Sequence, residues 1–141
     1  MRAFLLSLVF LAFSLPATAV ELSGFALIPA ETFYSGPPSG AYDRDGRRLG
    51  EPKYDTQPLQ GFSSLWGLDV PGRYLVLSDN GFGSKANSPD YLLRWYSVQL
   101  DRERGAADIG SAFTIRDPYE HVPFPIVYEA NPGRFLTGAD F

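Results

Sequence analysis

Glycine and proline constrain this chain more than any other residues do. All 14 glycines, and every one of the 12 prolines except Pro16, fall beyond residue 19. They interrupt the sequence so often that no stretch of it reads as an amphipathic helix, because glycine costs a helix entropy and proline removes an amide that its interior needs. Between the breaks lie short runs rich in β-branched, aromatic and leucine residues, at 21–28, 62–70, 74–78, 92–100, 109–115 and 135–140. Side chains of this kind suit pleated, half-buried strands. The pattern predicts an all-β fold with closely spaced turns.

The stretch from Tyr34 to Gln60 is loaded instead with glycine, proline and charge, and is expected to be a long loop that contains one hairpin. Within it, Asp43-Arg44-Asp45-Gly46 has the opening of a calcium loop but lacks the later glycine and glutamate of an EF-hand, so Asp45-Gly46 is read as a tight turn. The mixed charges of Asp101-Arg102-Glu103-Arg104-Gly105 read as a solvated turn at a strand end.

An internal echo carries more information. Pro71-Gly72-Arg73-Tyr74-Leu75-Val76-Leu77-Ser78-Asp79 returns as Pro132-Gly133-Arg134-Phe135-Leu136-Thr137-Gly138-Ala139-Asp140. Proline presets φ at the second position of a type II turn and glycine accepts the positive φ at the third, so each copy predicts such a turn feeding a strand that ends on an aspartate. Alternation along a strand puts Leu75, Leu77 and Asp79 on one face, and Leu136, Gly138 and Asp140 on the matching face of the other copy. Repeated units of this sort fit a β-propeller, and a β-sandwich with two similar hairpins fits them as well.

The N-terminus reads as an export signal. Arg2 precedes the apolar run from Ala3 to Leu15, Pro16 breaks it, and Ala17-Thr18-Ala19 offers the small residues of a cleavage site. The run is too short for a bilayer core, which needs roughly 18 apolar residues, so residues 1–19 are expected to be removed after Ala19. No stable membrane anchor is then expected, and the product is placed in the periplasm or outside the cell. Losing Arg2 takes the formal charge from -4 to -5, which argues against nucleic acid as a partner because phosphate backbones require a basic face. With no cysteine in the chain, neither disulfides nor thiolate metal sites are available, and any metal would be a hard cation on oxygen ligands.

Three stretches together resemble the bacterial phytase-like family, exported proteins described as having esterase-like activity of phytase. They are Gln60-Gly61-Phe62-Ser63-Ser64-Leu65, then Leu77-Ser78-Asp79-Asn80-Gly81-Phe82-Gly83-Ser84-Lys85-Ala86-Asn87-Ser88, and Leu92-Leu93-Arg94-Trp95-Tyr96. Ile115-Arg116-Asp117-Pro118, Val122-Pro123-Phe124-Pro125-Ile126-Val127 and the closing Leu136-Thr137-Gly138-Ala139-Asp140-Phe141 agree with that resemblance in order and spacing. It implies a propeller-like fold and a family length well beyond this chain, so residues 20–141 are expected to be the N-terminal portion of a phytase-like propeller domain, truncated as it stands. It also implies a hydrolase of phosphoric esters that works with calcium, held by carboxylates and carbonyls that bridge to phosphate oxygens.

On that reading the metal candidates are Asp79 and Asn80, at the end of the first echoed strand, and Asp140, at the end of the second. Lys85, Arg94 and Arg116 are the candidates for binding a small anionic substrate such as a phosphate ester. No residue is assigned as catalytic. Asp117, Glu120, His121 and Glu129 form a second acidic group on a loop that Pro118, Pro123 and Pro125 hold extended, with the only histidine read as a loop hydrogen-bonding residue. Gly81-Phe82-Gly83-Ser84-Lys85 lacks the spacing and the following helix of a nucleotide-binding loop. Gly61-Phe62-Ser63-Ser64-Leu65 lacks the last glycine of a nucleophile elbow, which speaks against a serine esterase. The alternative from another class is a non-catalytic propeller that binds a ligand of the cell envelope or extracellular space.

Overall fold

The six residues after Gly72 and the eight after Leu93 are rich in leucine, valine and aromatic side chains, and in the computed structural model they form the two central strands of a sheet. The structure describes residues 20–79, 81–127 and 133–140; the expected leader, residues 1–19, lies outside them. Six strands occur among the described residues: β1 (Phe33–Tyr34), β2 (Gln57–Pro58), β3 (Phe62–Gly67), β4 (Arg73–Ser78), β5 (Arg94–Asp101) and β6 (Ala106–Thr114). The fold is all-β, with two antiparallel sheets, one of β1 and β2 and one in the order β3-β4-β5-β6. No helix among the described residues is long and apolar enough to cross a membrane.

Local turn chemistry sets the meander. Arg73 donates its N–H to the Val70 carbonyl at 3.0 Å, and Gly72 stands at φ 75°, which is the type II geometry that Pro71-Gly72 predicts. At the β5–β6 turn, the Asp101 Oδ1 accepts from the N–H groups of Glu103 and Arg104 at 3.1 and 2.9 Å, and Gly105 takes φ 66°.

Register then decides the faces. Leu65, Val76, Tyr96 and Ala112 stand opposite one another across the four strands, and Leu59, Val76, Tyr96 and Val98 make the buried core on that face. Tyr34 and Phe62 meet the Tyr96 ring edge-on at 5.3 and 6.1 Å. On the opposite face Trp66 pairs with Leu75, Leu77 with Trp95, and Trp95 with Phe113. This second face is apolar too, yet Trp66 and Phe113 are 69% and 60% exposed.

The segment expected to be a loop with a hairpin is one irregular antiparallel arm. Phe33 pairs with Pro58, Ser39 with Tyr54, and Tyr42 with Arg48, each pair nested inside the last. Its tip is an Asx turn: Asp43 Oδ1 accepts from the N–H groups of Asp45 and Arg47, both at 2.9 Å, with Gly46 at φ 78°. The expected strand at 21–28 reduces to one bridge, from Leu27 in parallel to Ala106.

The second echoed segment enters the fold differently from the first. Instead of lying within a sheet it wedges between the extensions of β5 and β6. Leu93 donates to the Leu136 carbonyl and Leu136 to that of Ile115, both at 3.0 Å, while Gly138 donates to the Tyr91 carbonyl at 2.9 Å. Leu136 therefore reaches a second core, with Tyr91 and Leu93, whereas its counterpart Leu75 faces the open side. Pro132 lies outside the described residues; the positive φ of this copy is carried by Arg134, at 49°.

Candidate functional site

β4 delivers Ser78 and Asp79 to the end of the sheet where both echoed segments finish. Ser78 is fully buried, and its hydroxyl donates to the Gln60 carbonyl at 2.6 Å. The Tyr91 hydroxyl reaches the same carbonyl at 3.1 Å and also contacts Ser78 Oγ. Burial pushes the Tyr91 phenol up to about 12, so it stays neutral at ordinary pH and is a poor base. The Gln60 amide completes this cluster by donating to the Gly81 carbonyl at 2.7 Å.

Asp79 follows directly. Its N–H reaches the Gly61 carbonyl at 3.4 Å, but its Oδ1 is buried and has no hydrogen-bond partner. Such an oxygen is costly unless a proton, a water or a cation satisfies it. Only one other buried side-chain atom among the described residues shares this condition, Asp90 Oδ1; its companion Oδ2 accepts from the Ala41 N–H at 2.8 Å. Asn80 lies outside the described residues.

The turn after Asp79 is held by its own polar side chains. Ser88 Oγ accepts from the Phe82 N–H at 2.8 Å and donates to the Ser84 carbonyl at 2.6 Å. Asn87 Nδ2 donates to the Phe82 carbonyl at 3.0 Å, while its Oδ1 accepts from the Ser84 N–H at 3.2 Å. Against this turn packs the second echo. A Cβ on Gly138 would stand 2.8 Å from the Ser88 Cβ and 3.1 Å from the Gly81 Cα. The chain thus brings its two echoed ends together, with Ser88 between them and an aspartate two residues from each glycine.

The two aspartates are unlike in chemistry. Asp140 is already engaged: Oδ1 accepts from the Val127 N–H at 3.0 Å, and Oδ2 from the N–H and hydroxyl of Thr137 at 2.8 and 3.1 Å. A carboxylate has about four lone-pair sites, so three contacts leave Asp140 little spare capacity, while Asp79 has an oxygen entirely free. Among the described residues, no group of three or more Asp, Glu, His or Cys side chains stands ready to hold a metal. A cation here would have to draw on Asp79 and on carbonyl or amide oxygens, a donor set that suits calcium better than zinc.

The three cationic candidates do not behave alike. Lys85 is exposed on the Gly81–Asp90 turn, and Arg116 is exposed beside the wedge. Arg94 is 6% exposed; its guanidinium donates to the Ser35 carbonyl at 2.8 Å and to Thr114 Oγ1 at 3.1 Å, and it lies 5.9 Å from the Tyr34 ring centre. In this structure it ties β5 to the long arm.

Of the second acidic group, Glu129 lies outside the described residues, and Asp117 serves its own loop. Its carboxylate accepts from the N–H groups of His121 and Val122 at 2.8 and 3.0 Å, and Arg134 stands 3.5 Å away. The two backbone N–H groups, with Arg134 in support, hold its carboxyl below the usual range. His121 is exposed, with its ring 6.0 Å from that of Tyr119.

Three residues that sequence reasoning passed over also shape this end of the molecule. Gln57, almost wholly buried, donates to the carbonyls of Pro37 and Asp90 and accepts from the Leu92 N–H. Neither it nor Asp90 carries a local signal, since their partners lie far off in sequence. Ser88 had one, as the last polar residue of a glycine-rich turn. A separate apolar groove of about 640 Å³ opens along the core face between β3 and the N-terminal segment, lined by Leu27, Leu59, Leu65, Val76, Val98 and Leu100 among others. The chain matches no family model, no curated protein and no solved structure.

Proposed function

We propose that this chain belongs to an exported, phytase-like hydrolase of phosphoric esters, with a calcium site at the end of β4. The observation that carries the reading is the buried, unpartnered Asp79 Oδ1, set beside the contact of Gly81 with Gly138. A bound calcium would supply Lewis acidity toward a phosphoryl oxygen. Asp79 would hold it, and Lys85, exposed on the adjoining turn, would meet the charge of the substrate. Arg94 is too deeply placed to do the same.

The propeller expectation draws support from the apolar character of both sheet faces. A sheet in a two-layer sandwich needs one apolar face only, with the other toward water. Blades stacked around an axis need two. The Trp66, Leu75, Trp95 and Phe113 face is the feature that a sandwich does not require.

The test uses the full chain. It should release phosphate from p-nitrophenyl phosphate in millimolar calcium, stop when a chelator is added, and lose turnover on Asp79→Asn with its circular dichroism unchanged. Activity that survives the chelator rejects the metal role. The rival reading, a non-catalytic binding module, is favoured by the apolar groove beside β3; it expects no turnover in any condition.

A further inference from the structure

Residues 117–127 cross the second core as a strap with a carboxylate at each end. At the near end Asp117 accepts from the N–H groups of His121 and Val122, while Arg134 Nε donates to the Asp117 carbonyl at 2.7 Å and its guanidinium reaches Glu120 at 3.4 Å. At the far end Val127 donates to Asp140 Oδ1 at 3.0 Å. Both carboxylates belong to the fork into which the second echoed segment wedges, since Asp117 N–H donates to the Arg134 carbonyl at 2.9 Å and Asp140 is bonded to Thr137.

Between the pins, Pro118, Pro123 and Pro125 offer no amide to a ladder. Ile126 packs on the Tyr91, Leu93 and Leu136 cluster. Glu120 and Arg134, neither of them glycine, stand at φ 57° and 49°, a strained region for such residues that persists only where the surroundings enforce it. Both residues also hold the Asp117 carbonyl, Arg134 through Nε at 2.7 Å and Glu120 through its N–H at 3.4 Å.

We propose that residues 117–127 form a lid that lifts as one unit from the Tyr91, Leu93 and Leu136 cluster, latched at one end by Asp117 with Arg134 and at the other by Asp140. Strain in the latched loop and the scarcity of ladder bonds favour opening, while the pins and Ile126 oppose it. Local opening of this kind draws on the least stable part of a structure and leaves the rest folded. A latched strap needs neither cation nor substrate, so it stands whether or not the protein turns anything over.

Hydrogen exchange of the full chain, followed amide by amide, tests the unit. Asp140→Ala should speed exchange at Asp117, whose N–H donates across the lid edge to the Arg134 carbonyl and which Asp140 does not touch, and Asp117→Ala should speed it at Val127, each by roughly fivefold or more, the shift expected on losing one net hydrogen bond. Val76 and Val98 in the sheet should keep their protection. Should either variant lose that sheet protection, Arg134→Met decides, because it leaves both carboxylates in place and must still loosen Val127. If each substitution frees only the amides that its own side chain held, the segment is not a lid and the proposal is overturned.

Discussion

Three glycines at the meeting of the two echoed ends separate steric from conformational cost, because each isolates a different part of it. Gly138 has no positive φ but is crowded: an added Cβ would lie 2.8 Å from the Ser88 Cβ and 3.1 Å from the Gly81 Cα. Neither neighbour is the loose end of a flexible chain, so Gly138→Ala forces a backbone shift, an overpacking cost of about 1–3 kcal/mol. Gly83 is the converse, at φ 91° with nothing within 4 Å; alanine there pays only for the left-handed backbone, roughly 1–2 kcal/mol. Gly81 combines both, at φ 51° with the Ser88 Cβ 2.7 Å away, and the sum is about 2–5 kcal/mol. Stiffening the unfolded chain returns about 0.4–1 kcal/mol to every glycine-to-alanine change, which lowers all three values without altering the order that puts Gly81 worst. Urea unfolding at constant m-value gives each figure from the midpoint. Gly138→Ala should cost less in a Ser88→Gly background than in the native one, because the Cβ that blocks the new methyl is then gone, although Ser88→Gly carries its own cost in lost turn hydrogen bonds. If Gly138→Ala is neutral or stabilising, the two turns are not in contact as described, and the shared end of the echoed segments is lost with it.

Asp117 titrates below its ordinary value of 3.8, so the folded state binds its proton less readily than the unfolded chain does. Its stabilising contribution is complete above the ordinary carboxylate range and is lost as pH falls through the depressed value; Asp117→Asn should flatten that part of a urea-midpoint profile taken from neutral pH into acid. Tyr91 shifts the other way, from 10.0 to about 12, and the sign reverses: its contribution is complete below 10 and declines as pH rises toward 12. Phenolate absorbance during an alkaline titration should lose its latest-ionising component in Tyr91→Phe. Arg94→Ala removes a buried guanidinium that donates to the Ser35 carbonyl and to Thr114 Oγ1, a loss of about 1–3 kcal/mol for charged hydrogen bonds, and a thermal melt should show it without any change specific to substrate binding. Calcium should raise the melting temperature of the native protein and not that of Asp79→Asn, because only a site in the folded state couples binding to stability.

What the sequence announced and what it concealed divide along contact distance. β3, β4, β5 and β6 lie within or across the runs 62–70, 74–78, 92–100 and 109–115, since alternation and turn residues are local properties and Pro71-Gly72 fixes its own turn. The antiparallel arm depends on Phe33 finding Pro58, a pairing that neither residue signals, and most of it runs through a stretch that reads as a long loop with one hairpin. Likewise an arginine on a predicted strand reads as a candidate for an anionic ligand; nothing nearby tells that Arg94 will be buried against Ser35, 59 residues away. The echo shows the same limit more sharply. Two segments of matching sequence were expected to be equivalent strands, yet one has two strand neighbours in the sheet and the other meets only the fork beyond β5 and β6, so Leu75 faces outward and Leu136 is buried. Their aspartates diverge with them, because the Thr137 hydroxyl and N–H, both three residues back, and the Val127 N–H occupy Asp140 while Asp79 has Ser78 and Asn80 for neighbours and one oxygen left bare. Equal sequence ended two segments on aspartates, and unequal surroundings gave Asp140 a structural load and left Asp79 with an unpartnered oxygen.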